Sequence, residues 1–217
     1  MRTRNTTQRS GFTVLEVAIS TTIMAFVAIA LGMIQLRSQN SFRHTSAQSQ
    51  AENTCRRAAA RALAEMTGLA ISRLVPDPTS SLGTDTLVFQ RPASVSAVGA
   101  VTWSNQMRVS LVMDTGEVDN GLDDDGDRLV DERRLVLTRG VDTANPRAVT
   151  LCHGVAEWFP GETGNGADDN ANGLVDERGF SVRRMGDLLM LRLAVEVPHS
   201  DGEIASWTVD TAVRLHN

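Results

Sequence analysis

Residues 12–36, FTVLEVAISTTIMAFVAIALGMIQL, run for 25 residues with a single charge, Glu16. A helix needs about 20 apolar residues to cross the hydrocarbon layer of a bilayer, so this run can span one. Ahead of it, residues 1–11 carry Arg2, Arg4 and Arg9 and no acid. Arginines on that flank and none within the run predict an N-terminus in the cytoplasm and everything beyond Arg37 on the far side. Glu16 is the anomaly. A carboxylate inside an apolar span costs about 2.5 to 3.5 kcal/mol on insertion scales, and such a group usually has a specific partner. The competing reading is an ordinary secretory signal peptide, with Ala28-Ile29-Ala30 as a small-residue cleavage site. That reading leaves the acid without a role.

Helical spacing continues beyond the apolar run. Ala47, Ala51, Cys55, Ala58, Ala62, Met66 and Leu69 fall three or four apart, with Arg56, Arg57, Arg61 and Glu65 largely off that stripe. One helix from near Phe12 to near Leu74 is expected, ended by Pro76 and Pro78. Its small-residue stripe suits close approach to a sheet better than a coiled coil, which wants Leu and Ile. Strands are expected at 86–90, 107–113, 134–138, 150–159, 188–197 and 205–215. In the last two, Leu191, Leu193, Val195 and Val197, and Trp207, Val209, Val213 and Leu215, keep to alternate positions, and Ser200-Asp201-Gly202 reads as the hairpin turn between them.

Gly11-Phe12-Thr13-Val14-Leu15-Glu16 resembles the prepilin processing site of type IV pilins and type II secretion pseudopilins: a basic leader ending in Gly, then Phe, then Glu five residues into the mature chain, then an apolar helix. The resemblance implies cleavage by a prepilin peptidase between Gly11 and Phe12 and methylation of the new Phe12 amine. It also implies assembly through Glu16, whose carboxylate would meet the α-amine of a neighbouring pilin or pseudopilin in a filament. LCHGVAEWF and the final hairpin give a narrower likeness to the J-type minor pseudopilin. The fold class expected is α+β, pilin-like, with a long N-terminal helix packed on an antiparallel sheet. The organisation expected is a leader over 1–11, a transmembrane or filament-core helix over 12–36, its periplasmic half over 37–75, and a β-rich head over 76–217. Location follows: a bacterial inner membrane, crossed once, with the head in the periplasm or outside, and then the filament.

The head carries an internal repeat. NGLDDDGDRLVDER from Asn120 and NGADDNANGLVDER from Asn165 agree at Asn-Gly, at Asp-Asp and throughout Leu-Val-Asp-Glu-Arg, within loops at 119–133 and 164–178. Counting from Asp123, oxygen side chains fall at loop positions 1, 3, 5 and 9 as Asp123, Asp125, Asp127 and Asp131; the second copy supplies Asp168, Asn170, Asn172 and Asp176. Alternate oxygens in a tight turn suit Ca²⁺, which takes six to eight oxygen ligands. The loops resemble the DxDxDG calcium motifs of EF-hand-like and thrombospondin type 3 repeats. They depart from them at position 6, Arg128 against Gly173, and at position 12, where Arg134 and Gly179 replace the expected Glu. Asp131-Glu132 and Asp176-Glu177 are the candidates to close the shells, or the two loops share acids across a common site, for one or two ions. Amides in the second copy imply weaker binding there, and solvated acidic turns are the bland alternative.

Cys55 and Cys152 are the only cysteines, and either a bridge between them or two buried thiols fits the sequence. The four histidines are scattered, and there is no nucleophile elbow, phosphate loop or dinucleotide fingerprint, so no enzyme is expected. A net charge of −5 gives no reason to expect a nucleic-acid partner. The function expected is a structural filament subunit. An exported, membrane-anchored, calcium-dependent binding module is the alternative.

Overall fold

The computed structural model describes residues 13–199 and 202–216, in two compact units, one up to Arg43 and one from His44 onward. The expected processing residues Gly11 and Phe12 lie outside the described residues. Helix α1 spans Val14–Met66. It starts at a capping box: the Thr13 amide donates to Glu16 Oε2 at 2.9 Å, and the Glu16 amide donates to Thr13 Oγ1 at 3.3 Å. In the first unit, large side chains such as Ile23, Phe26, Ile29 and Leu31 are exposed. The hydroxyls of Thr21 and Thr22 bond back to the carbonyls of Val17 and Ala18 at 2.8–3.0 Å. Their polarity is thus met inside the helix, as an apolar surrounding requires. The first part of α1 is long and apolar enough to cross a membrane.

In the second unit the stripe foreseen from the sequence is the buried face. Ala47, Ala51, Cys55, Ala58, Ala62 and Met66 are buried, and Ala59 joins them. Leu69, just past the helix, is buried with them. The helix stops at Met66, short of the Leu74 expected from the prolines. Gly68 takes φ +79°, the left-handed conformation that closes a helix C-terminus, and Pro76 and Pro78 lie beyond a 3-10 turn at Ile71–Arg73.

Ten strands follow: β1 Leu74–Val75, β2 Thr86–Phe89, β3 Pro92–Val95, β4 Val101–Trp103, β5 Met107–Met113, β6 Arg133–Arg139, β7 Arg147–Val155, β8 Phe180–Met185, β9 Leu188–Pro198 and β10 Ile204–Arg214. Strands β3 and β4 pair with each other; the rest form an antiparallel sheet in the order β1-β2-β5-β6-β7-β9-β10, with β8 also on β9. Thr84 and Val182 exchange backbone bonds at 2.8–2.9 Å, tying β8 back to the chain ahead of β2, so the sheet curls. Phe89, Val109, Leu135, Leu137, Val155, Phe180, Leu191 and Leu193 on its concave side enclose the helix stripe.

All six expected strands form, within three or four residues. The expected Thr150–Phe159 strand runs earlier, Arg147–Val155, because the chain turns into a loop once Val155 has paired with Val195. The β9–β10 hairpin pairs Leu188 with Arg214 through to Pro198 with Ile204, and Gly202 at φ +94° serves its turn; Ser200 and Asp201 lie outside the described residues. Cys55 and Cys152 are buried free thiols, the unbridged one of the two states the sequence allowed. The Cys55 thiol donates to the Leu193 carbonyl at 3.3 Å.

Candidate metal centre

Both acidic loops leave the same end of the sheet. The first joins β5 to β6 and the second joins β7 to β8, and Arg133 opposite Val155 sets the two exits side by side. The backbone repeats as the sequence does. Gly116, Gly121, Gly126, Arg128 and Asp131 have φ of 107°, 77°, 82°, 83° and 50°, and their counterparts Gly161, Gly166, Ala171, Gly173 and Asp176 have 87°, 79°, 59°, 89° and 52°. Arg128 therefore adopts the left-handed backbone that Gly173 adopts without strain, at a cost of about 1–2 kcal/mol. Its guanidinium meets the His199 carbonyl at 2.9 Å.

Asp123 organises the first turn. Its Oδ1 accepts from the Gly126 amide at 2.6 Å and its Oδ2 from the Arg128 amide at 2.9 Å. One oxygen of Asp125 accepts from the Asp127 amide at 3.0 Å, and one of Asp127 from the Leu129 amide at 2.8 Å. Each of these two keeps an oxygen free of such bonds. Carboxylate oxygens of Asp123, Asp125 and Asp127 come within 4.8 Å of one another, the grouping the alternate spacing predicts.

A second trio shares Asp125 and brings in a residue that the sequence reading missed. Oxygens of Glu117, Asp125 and Glu132 also lie within 4.8 Å of one another. Glu117 Oε1 accepts from the amides of Asp124 and Asp125 at 3.1 and 3.0 Å, whereas its Oε2 is buried and meets no donor. Glu132 Oε2 is in the same condition. The two side chains are 7% and 2% exposed. Burial first, and then the charges of Asp127, Glu117 and Asp125, push the Glu132 carboxyl up to about 7. Among the described residues, none of Glu117, Asp125, Asp127 and Glu132 pairs with an arginine or histidine. Two carboxylates at this separation repel by about 3 kcal/mol at an effective dielectric near 20. A hard cation is what such a set of oxygens fits.

Asp131, expected at position 9, does not join this set. Its oxygens accept from the amides of Asn120 and Gly121 at 2.9 and 2.7 Å, and it lies with Asp119 and Glu157. That trio has its own cations: Arg133 meets Asp119 and Glu157 at 3.3 and 3.1 Å, and Arg178 meets the same Glu157 oxygen at 2.6 Å. Arg133 and Arg178 are equivalent positions, so both copies end on one carboxylate.

In the second loop Asp168 accepts from the amides of Asn172 and Gly173 at 3.1 and 2.8 Å. Asn170 and Asn172 repeat the Asx bonds at 3.0 and 2.8 Å, and Asp176 accepts from Asn165 and Gly166 at 3.1 Å. Glu177 is held by the side-chain amides of Asn170 and Asn172 and by the Arg192 guanidinium. Position 12 cannot carry a ligand here. A Cβ on Gly179 would sit 1.9 Å from the Ala156 carbonyl oxygen. In the first loop position 12 is already in β6, where Arg134 donates to Thr115 Oγ1 at 2.9 Å. The signal for Glu117 was present in the chain: Gly116-Glu117 and Gly161-Glu162 stand at the same offset as the rest of the repeat, a few residues ahead of it.

At the other end of the chain, Glu16 Oε2 also accepts from Thr13 Oγ1 at 3.0 Å. Among the described residues it has no cationic partner. Hydrogen bonding is thus met within the helix, and its charge is not. No protein-family model, curated protein or solved structure matches the chain.

Proposed function

We propose that the chain is a structural subunit of a bacterial envelope filament: a minor pilin or pseudopilin of a type IV pilus or type II secretion pseudopilus. It is held in the inner membrane by α1, with its head on the far side steadied by calcium. The observation that carries this is Glu16, a carboxylate in an apolar helix whose charge has no counterpart among the described residues of its own chain. The α-amine of a neighbouring processed subunit is a cation of the right size, and it is created by cleavage between Gly11 and Phe12. Support comes from the basic leader, the fixed Gly-Phe-Glu spacing, and a long helix whose later half packs on an antiparallel sheet. The partners are then other pilins or pseudopilins and a prepilin peptidase.

Glu16→Gln is the decisive variant. Glutamine serves at the third position of a capping box as glutamate does, so the helix start is preserved while the charge goes. Membrane insertion at the wild-type level together with loss from purified filaments is the expected result; normal assembly of the variant refutes the charge-pairing role. Sequencing the mature N-terminus is the second measurement, with N-methyl Phe12 expected and Leu31 excluding the proposal.

The second reading, an exported calcium-dependent binding module, is favoured by the capping box itself, which gives Glu16 a use inside its own chain. In that case Glu16→Gln leaves location and partners unchanged.

A further inference from the structure

We propose that the two loops, copies of one another in sequence, have opposite metal chemistry: the first takes one calcium-class cation among Glu117, Asp125, Asp127 and Glu132, and the second takes none, because Arg192 and two asparagine amides occupy the equivalent place. This rests on the calcium reading of the head and narrows it from one or two ions to one ion with a stated ligand set.

Glu117 corresponds to Glu162, Asp125 to Asn170, Asp127 to Asn172 and Glu132 to Glu177. In the second loop every oxygen of the buried glutamate pair has a donor. Glu162 Oε1 accepts from the Asn170 amide at 3.1 Å and its Oε2 from the Asp176 amide at 3.2 Å. Glu177 Oε2 accepts from the side chains of Asn170 and Asn172, and its Oε1 from Arg192. Two carboxylates therefore face one guanidinium and two NH₂ groups.

The first loop inverts this inventory. The two NH₂ donors become the carboxylates Asp125 and Asp127, which can only accept. No guanidinium reaches Glu132 among the described residues, and one oxygen each of Glu117 and Glu132 is left buried without a donor. Asp125 groups with Glu117 and Glu132 and also with Asp123 and Asp127, so carboxylates stand where the second loop has amides. Two buried glutamates, each with a donorless oxygen and each offering an oxygen within 4.8 Å of Asp125, fit a cation better than another proton donor. Arg192 is the protein's own cation at the second loop, reaching in from β9, with its Nε also on Asp210 at 2.9 Å. Both loops solve one problem, a buried glutamate pair at the sheet end. One solution is covalent to the chain and the other is recruited.

The test is calcium binding by the full-length chain in detergent micelles, with stoichiometry from flow dialysis and affinity from titration calorimetry. One ion per chain is expected. Asp125→Asn with Asp127→Asn gives the first loop the second loop's residues at two exposed positions, so the fold survives, as circular dichroism will report, and affinity falls at least tenfold. Glu117→Gln weakens binding similarly. In the reverse direction, Asn170→Asp, Asn172→Asp and Arg192→Gln together raise the stoichiometry to two. Two ions bound by the wild-type chain, or one ion that survives the Asp125/Asp127 double substitution, overturns the assignment while leaving a calcium-steadied head intact. No calcium uptake at the millimolar level overturns both. Neither result bears on the filament role, which Glu16→Gln tests separately.

Discussion

The proposed calcium site predicts that a chelator lowers the melting temperature of the head by an amount that can be bounded. In the Glu117, Asp125 and Glu132 trio each pair of oxygens lies within 4.8 Å. Each charged pair is worth about 3 kcal/mol of repulsion at an effective dielectric near 20. Protonation of Glu132, whose carboxyl is pushed up to about 7, relieves part of that in the metal-free state near neutrality. The net stabilisation is therefore set by mass action rather than by the gross repulsion. Extracellular calcium modules bind at about 10⁻⁴–10⁻³ M. At 10 mM calcium the site is filled to roughly 10 to 100 times its dissociation constant, which stabilises the folded head by about 1.4 to 2.7 kcal/mol. The unit from His44 to Asn217 has 174 residues. For that size each kcal/mol moves the melting temperature by about 2–4 °C, so the expected rise over a chelator control is roughly 3–10 °C. Tryptophan fluorescence is the assay, since Trp103, Trp158 and Trp207 all lie in that unit. Magnesium, smaller and demanding an octahedral shell, should give a smaller rise. A calcium shift below about 1 °C, or an equal shift in the Asp125→Asn, Asp127→Asn protein, rules out a stabilising ion at this site.

Three further outcomes follow from other parts of the head. Burial pushes the Cys55 thiol up to about 11 and the Cys152 thiol up to about 12, so iodoacetamide at pH 8 should label neither in the native protein and both after denaturation; fast native labelling would show the core open to reagent. The Glu196 carboxyl is raised by burial, so the folded state holds its proton above the ordinary value of 4.5. Its contribution to stability is then full below that value and is lost as pH climbs to the raised one; Glu196→Gln should flatten this fall in a pH series of urea melts. Gly68→Ala places a Cβ in open space and is strained only by φ +79°, for a loss of about 1–2 kcal/mol, while Gly179→Ala meets a carbonyl oxygen at 1.9 Å and should leave no folded head to measure.

Elements with a strong period could be read from the chain. The stripe from Ala47 to Leu69 is buried as its spacing demands, and the β9–β10 hairpin follows its alternation. Helix length was misjudged because two prolines outweighed one glycine, although Gly68 is the residue that can reverse its φ and the prolines merely sit downstream. Strand β8 was missed for a different reason. In FSVRRM only Phe180 and Val182 are buried, and the adjacent arginines mask a two-residue alternation that becomes decisive only once β9 and Thr84 pair with it on either side. Glu117 was missed because a motif counted forward from its first aspartate has no place for a ligand that precedes it. The buried, donorless oxygen is a property of the folded loop, visible in the chain only as the shared Gly-Glu upstream of both copies.

Glu16 is the harder lesson, since one short motif satisfies two physical demands. Threonine followed three residues later by glutamate is a helix start, and here both reciprocal bonds are made. A capping box worth about 1 kcal/mol explains a carboxylate at the mouth of an aqueous helix. It does not account for a charged one at the head of an apolar run, where insertion costs more than the cap returns and glutamine would cap as well without the charge. The N-terminal end of the helix dipole offsets part of that charge, by about 0.3–1 kcal/mol, which is less than the insertion cost. Under the proposed processing, the cation offered to that charge is a free amine at the residue before Thr13, supplied by a neighbouring copy in the filament, and Glu16→Gln removes the charge without removing the cap.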